Sequence, residues 1–281
     1  MRDDADAGSG ATPGNGTRTT RRRAADHPRE PLPTRVEATQ ALPAEFAVAL
    51  DAGLAELALE LTPAARAAID GHARLLIAWT SAINLTAIRE PAGVALSHVI
   101  DSLTGLAVMR EFGADRYIDL GSGGGYPGLP IAAALPASRA LLLEPVAKKA
   151  GFLSVVAAAT GLAGSVEAAP VRAEALAADR RHRGRWPAVT ARAVVSLADL
   201  IELAFPLLEP GGHLVAWKRG DLADELAAAE RALTALGGGS LEVRPVGVGG
   251  LAGHCLVVAT ARGPAPSDYP RDPGVRRRRP W

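Results

Sequence analysis

The stretch Tyr117-Ile118-Asp119-Leu120-Gly121-Ser122-Gly123-Gly124-Gly125-Tyr126-Pro127-Gly128 holds the residues whose spacing speaks most directly of chemistry. An apolar strand ends in Asp119, glycines follow, and Pro127 or Gly128 opens a helix. Glycine lets backbone approach a ligand closely, and a helix start offers free N–H groups. Two nucleotide readings compete. A dinucleotide fingerprint can be placed on Gly123, Gly125 and Gly128, but Pro127 then sits inside the turn and the first glycines are surplus. The pattern acid-x-Gly-x-Gly-x-Gly fits Asp119, Gly121, Gly123 and Gly125 without adjustment, and it suits S-adenosylmethionine. That cofactor has no pyrophosphate and carries an ammonium group, so an acid beside the loop makes sense. The bland alternative is a flexible turn with no ligand.

Further along, Glu144 closes the second strand, about 20 residues beyond the glycines, where a carboxylate can accept from both ribose hydroxyls. Ala173 and Glu174 follow the third strand, where a backbone N–H and a carboxylate could read an adenine edge; an exposed helical Glu is the plain alternative. Arg192 ends the fourth strand, a position for holding cofactor or substrate, or for a structural ion pair. His98 and Asp101 stand at i and i+3 on one predicted helix face, to shape the site or to cap and pack. One cysteine, Cys255, excludes an internal disulfide framework and a Cys-rich zinc site, and no metal is expected.

These residues need elements to hold them. Phe46, Leu50, Leu54, Leu57 and Leu61 recur at helical spacing, and Thr62-Pro63 starts a second helix with an N-cap residue and a first-position Pro. A third helix is expected from about 91 to 110. Apolar strands then read at 116–120, 139–143, 165–169, 188–192 and 213–217, separated by helices near 128–135, 146–160, 172–180, 197–208 and 221–236. Such alternation implies a parallel sheet covered on both faces. Strands near 241–246 and 254–261 follow one another through glycines, so the last strand should enter antiparallel. The fold class is α/β: a class I, Rossmann-like methyltransferase fold with a seven-stranded, mostly parallel sheet and an N-terminal helical cap. The expected domains are a disordered extension (1–40), the cap (41–112), the cofactor-binding domain (113–262) and a disordered basic tail (263–281).

The formal charge of +1 hides unlike parts. Residues 1–40 carry seven Arg against six acids, residues 41–261 eighteen Lys and Arg against twenty-two acids, and residues 262–281 six Arg against two acids. A mildly acidic body therefore ends in a basic tail. No apolar run reads as a membrane span, because charges or Pro interrupt each stretch, and no apolar leader opens the chain. A soluble cytoplasmic protein is expected.

The chain resembles the RsmG (GidB) family of bacterial 16S rRNA guanine-N7 methyltransferases. The resemblance runs from Ile83-Asn84-Leu85-Thr86 through His98-Val99-Ile100-Asp101-Ser102, the glycine loop, Glu144 with Lys148 and Lys149, Thr190-Ala191-Arg192-Ala193 and Trp217-Lys218-Arg219-Gly220. It covers about residues 45–260. It implies S-adenosylmethionine as methyl donor and guanine 527 of 16S rRNA as target, with cofactor contacts at Gly121, Tyr126, Ala173, Glu174 and Arg192. Three departures stand out: Ser97 where the family has Arg, Glu144 where it has Asp, and Trp186-Pro187 where an acid begins the fourth strand. Guanine N7 has a free lone pair and no proton to lose, so no nucleophile or strong base is needed. Contacts to 16S rRNA or the small ribosomal subunit are expected from Lys148, Lys149, the basic loop with Arg181 and Arg183, and Lys218 with Arg219. The alternatives are a class I methyltransferase acting on a small molecule or protein, a nicotinamide oxidoreductase, and a non-catalytic RNA-binding assembly factor.

Overall fold

The computed structural model describes residues 31–281, of which Leu32–Trp281 form one compact unit. Most of the extension read as disordered lies outside the described residues. Its last stretch packs: Trp79 Nε1 donates to the Pro33 carbonyl at 2.7 Å, and Arg74 donates to the carbonyls of Val36, Thr39 and Gln40.

Helix α1 (Ala44–Glu56) buries Phe46, Leu50 and Leu54. Helix α2 (Pro63–Ile83) starts as its sequence dictates, with Thr62 accepting from the Ala65 N–H and Pro63 in the first turn, and stops at Asn84 in the left-handed region. The third helical run, α3 (Pro91–Glu111), is not the regular helix expected. Wider, π-type turns occupy Ala95–Ile100, and the run breaks again before Leu106. Such widening is frequent at functional sites. By length and composition α3 could cross a bilayer, which reading its charges as interruptions did not foresee. Its Val94, Val99, Ile100, Leu103, Leu106 and Met109 are buried in the protein core instead.

The sheet follows. Strands β1 (Arg116–Leu120), β2 (Arg139–Leu143), β3 (Val166–Ala169), β4 (Trp186–Arg192) and β5 (Leu208–Arg219) are parallel, while β6 (Gly239–Pro245) and β7 (His254–Ala261) form the closing hairpin. The order is β3-β2-β1-β4-β5-β7-β6, and β7 is antiparallel to both its neighbours. Alternate strand residues feed two apolar layers. Tyr117, Leu142 and Ala188 face α1–α3, α4 (Gly128–Ala134) and α5 (Ala147–Ala159). Ile118, Leu141 and Val189 face α6 (Ala173–Ala178), α7 (Leu197–Ala204) and α8 (Ala223–Ala235). The strand order reverses between β1 and β4, so the crevice for a ligand opens at their carboxyl ends.

The C-terminal tail expected to be disordered is instead folded onto the domain. Helix α9 (Pro273–Arg278) is capped by the Asp272 carboxylate, which accepts from the Gly274 N–H. Glu202, fully buried on α7, explains the docking. Its carboxylate accepts from the Arg271 backbone N–H and guanidinium and from Trp281 Nε1. Arg271 also lies over the Trp281 ring, 4.3 Å from its centre. A buried carboxylate is tolerated only when paired. All its partners come from the tail.

Arg271→Ala should therefore destabilise the protein by about 3 kcal/mol, because it leaves Glu202 buried and uncompensated. Urea denaturation of the full chain would check this, and Glu202→Gln in the same background should recover part of the loss.

Candidate functional site

The glycine loop turns back over the carboxyl ends of β1 and β2. Ser122 N–H donates to the Leu143 carbonyl at 3.0 Å, and Gly125 N–H to the Ser122 carbonyl. Two positions demand glycine. Gly121 has φ +66° and a Cβ there would lie 2.9 Å from Val194 Cγ2; Gly125 has φ +93° and its Cβ would lie 2.4 Å from Leu129 Cδ1. Glu144 braces the loop from below. Its two oxygens accept from the N–H groups of Gly123 (3.0 Å) and Val146 (2.8 Å). The carboxylate is thus fixed before any ligand arrives, with lone pairs left for ribose hydroxyls.

Asp119 is fully buried beneath this loop. Oδ1 accepts from Thr190 Oγ1 at 2.8 Å, while Oδ2 has no partner among the described residues. Burial lifts its carboxyl to about 6, against the Ser122 and Thr190 hydroxyls, the nearby Arg192 charge and the Gly128 backbone N–H. A buried acceptor with a lone pair unspent fits a cationic ligand group beside the loop.

The second cluster centres on Arg192. Its Nη1 donates to Asp101 Oδ2 and to the Ser97 carbonyl, both at 2.9 Å, and its Nη2 approaches His98 Nδ1 at 3.2 Å. The guanidinium donor makes His98 Nδ1 the acceptor, so Nε2 carries the proton and donates to Thr86 Oγ1 at 2.6 Å. Asp101 is completed by His254 Nδ1 at 3.0 Å on Oδ1, and its carbonyl accepts from Trp217 Nε1. Tyr126 is sandwiched between His72 and His98, with ring centres 4.4 and 4.7 Å away, and Arg192 lies 5.4 Å from its ring. His72 Nε2 donates to the Gly124 carbonyl at 2.7 Å. Burial holds both imidazoles neutral, lowering His72 to about 4 and His98 to about 3, with Arg192 adding to the depression.

The structure therefore gathers Asp119, Gly121, Gly123, Gly125, Tyr126 and Glu144 around one loop, and His98, Asp101 and Arg192 in one network beside it. The structural ion pair weighed for Arg192 is real, and its partner is Asp101 rather than a strand-end acid. Ala173 and Glu174 open α6, on the same edge of the sheet, and Glu174 is ion-paired to Arg276 of the tail. His72, Thr86, Trp217 and His254 were not singled out as site residues. Thr86 and Trp217 lay inside motifs already quoted; a lone histidine on a helix or strand carried no signal.

The basic residues divide. Lys148 and Lys149 stand at the start of α5, on the carboxyl edge, and Arg219 ends β5 on that edge; none is ion-paired among the described residues. Three others are already occupied. Lys218 is held by Glu225 at 2.6 Å, Arg181 by Asp179, and Arg183 by the carbonyls of Ala177, Ala265, Pro266 and Tyr269. The whole 180–185 loop leads into β4, so it lies at the amino edge, where the Arg185 carbonyl accepts from Arg116. It therefore lies across the sheet from the glycine loop. A cavity of about 280 Å³ lined by Arg116, Arg139 and Trp186 lies there too, away from the glycine loop.

A model of the family described as GidB, rRNA small subunit methyltransferase G, matches residues 66–249. Ribosomal RNA small subunit methyltransferase G of Roseiflexus sp. (strain RS-1) is 40% identical over 205 residues, covering 73% of this chain and 87% of its own. The protein of the same name from Rubrobacter xylanophilus is 42% identical over 210 residues, covering 73% and 80%. Among solved structures, an O-methyltransferase from Bacillus cereus in complex with SAH has a TM-score of 0.52 at 15% identity, covering 68% of this chain and 91% of that one. That likeness identifies the fold as that of class I methyltransferases.

The neutral imidazoles predict how stability responds to acid. As pH falls below about 6.5, unfolded chains protonate histidines that the folded protein keeps neutral, so His72 and His98 lose stability down to about pH 4. His213, also lowered by burial, adds in the same direction. Asp119 works oppositely between its ordinary value and about 6, since the folded carboxyl takes up its proton first. The imidazoles outnumber it. The urea midpoint should therefore fall between about pH 7 and pH 5, and fall less in His98→Gln; a midpoint that rises on acidification would contradict this balance.

Proposed function

The chain belongs to the GidB family of rRNA small subunit methyltransferases G, and on that premise we propose that it methylates N7 of a guanine in 16S rRNA, guanine 527 by family resemblance, with S-adenosylmethionine as donor. The observation that carries the reading is the meeting of the glycine loop, braced by Glu144, with the Arg192–Asp101–His98 network at one crevice. Bound there, the cofactor supplies a sulfonium methyl group for in-line transfer to a lone pair.

The protein's task is then orientation and charge. Glu144 accepts from the ribose hydroxyls, and Asp119 offers its unspent buried oxygen to the cationic end of the ligand. Ala173 and Glu174 read the adenine. Arg192 holds cofactor or guanine in place, while His98 and Asp101 act through it as positioning residues. A neutral His98 between Tyr126 and Arg192 keeps a second positive charge away from the guanidinium. No residue has to accept a proton before attack, which suits a site where Asp101 and His98 are committed to holding Arg192 and Glu144 to bracing the loop. RNA phosphates meet Lys148, Lys149 and Arg219 on the carboxyl edge.

Mapping 7-methylguanosine in 16S rRNA from cells with and without the gene tests the reaction; an unchanged map would reject it. Gly121→Asp should abolish cofactor binding measured by calorimetry, because a side chain there meets Val194 and strains a positive φ. Lys148→Glu with Lys149→Glu should raise the KM for RNA and flatten its salt dependence by about two phosphate contacts, leaving cofactor affinity unchanged.

A further inference from the structure

The C-terminal segment lies beyond the family match, which ends at residue 249. It leaves β7 near the amino edge, where Arg183 gathers the carbonyls of Ala265, Pro266 and Tyr269. It is anchored on α7 through Arg271 and Glu202. It then crosses to the carboxyl edge, where α9 delivers Arg276 to Glu174 at the head of α6.

Two features separate this contact from an ordinary surface ion pair, which contributes little. The Arg276 and Glu174 side chains are only 13% and 20% exposed. In addition, Arg276 uses one nitrogen only: Nη2 donates to Glu174 Oε1, while Nη1 is buried without a partner among the described residues. The other arginines that fasten this segment behave differently. Arg271 spends its donors on both oxygens of Glu202 and the Arg279 carbonyl, and Arg183 uses both terminal nitrogens on carbonyls. A buried charged donor left unpaired is costly and calls for a partner. Beside it, Glu174 Oε2 accepts from no described group. The pair thus sets one unspent acceptor next to one unspent donor, at the place the third strand leaves for adenine.

We propose that Arg276 is a specificity-determining residue of the cofactor site: it holds the Glu174 carboxylate and presents, with it, an acceptor and a donor to the amino group and an acceptor nitrogen of the adenine ring. This rests on the reading of Glu174 as the adenine contact. The tail is then part of the binding site, and its neighbours Arg277, Arg278 and Arg279, exposed on the outside, have no share in it.

Calorimetry on the full chain tests this with two probes, S-adenosylhomocysteine and its 6-oxo analogue, in which hypoxanthine replaces adenine. The wild type should prefer the adenine form. Arg276→Ala should weaken adenine binding about tenfold and leave the analogue nearly unchanged, so that discrimination shrinks. Arg276→Lys should recover part of the loss, Arg277→Ala should lose nothing, and Arg276→Ala added to Glu174→Gln should cost little more than Glu174→Gln alone. In turnover the Arg276→Ala defect should appear in the KM for the cofactor with kcat retained. Loss of discrimination in Glu174→Gln but not in Arg276→Ala overturns the proposal and spares the reading of Glu174. Full discrimination in Glu174→Gln overturns both. Equal weakening of the two probes would mark a merely structural role, and tighter adenine binding in Arg276→Ala would make the arginine a competitor; either overturns the proposal.

Discussion

The buried pair of Asp101 and Arg192 is the constraint on which the site depends. Side-chain exposures of 5% and 13% mean that both charges have left most of their water behind. Such a pair holds only when every remaining lone pair and proton is met. Here Asp101 also accepts from His254, and Arg192 also donates to the Ser97 carbonyl and to His98. The cost of desolvation is offset by bonds that reach α3, β4 and β7, with Trp217 of β5 fastening the Asp101 carbonyl. One interaction thereby sets the position of a helix outside the sheet against the end of the strand beside the switch point. The widened turns of α3 fall on the residues that meet Arg192, Ser97 and His98 among them.

The N-terminal helices are accordingly more than a cover. His72 on α2 donates to the carbonyl of Gly124, and Tyr126 is clamped between His72 and His98 from two different helices. A glycine loop has little side-chain packing of its own, and glycine gains the most entropy on disordering. Rings supplied from outside the sheet restrict it. Their neutrality follows from burial and matters in turn, because two charged imidazoles would oppose Arg192 across a few ångströms.

Much of this was legible in the chain, and for a physical reason. Parallel strands buried on both faces must be almost wholly apolar, so RALLL and YIDL announce themselves, and the structure places all seven strands close to where the sequence does. The loop glycines and Glu144 are legible because few other residues satisfy that backbone. Local patterns do not carry a partner distant in sequence. The 180–185 loop reads as a basic site from composition, yet a segment entering a parallel strand must sit at the edge opposite the crevice, which topology rather than charge decides. Lys218 reads as free because Glu225, which holds it, belongs to the next helix. Glu202 carries a signal of its own: an acid within the apolar run Leu200-Ile201-Glu202-Leu203-Ala204 requires a cation from elsewhere, and the tail has arginines to give.

That requirement alters what the charge balance means. The tail looked like a detachable block of arginines whose net charge served an external partner. Two of its arginines are instead counter-ions for acids of the body, Arg271 for Glu202 and Arg276 for Glu174, and both are half-buried. A counter-ion in such a position cannot be exchanged for a free cation, because geometry and desolvation are part of the bond. Its sequence neighbours at 277–279 remain exposed and carry the charge that composition sees. The basic character of the segment is therefore the sum of two physically different groups. The inner group is as much a part of the fold as the sheet, since α7 can keep a carboxylate in its apolar face only while the segment is docked.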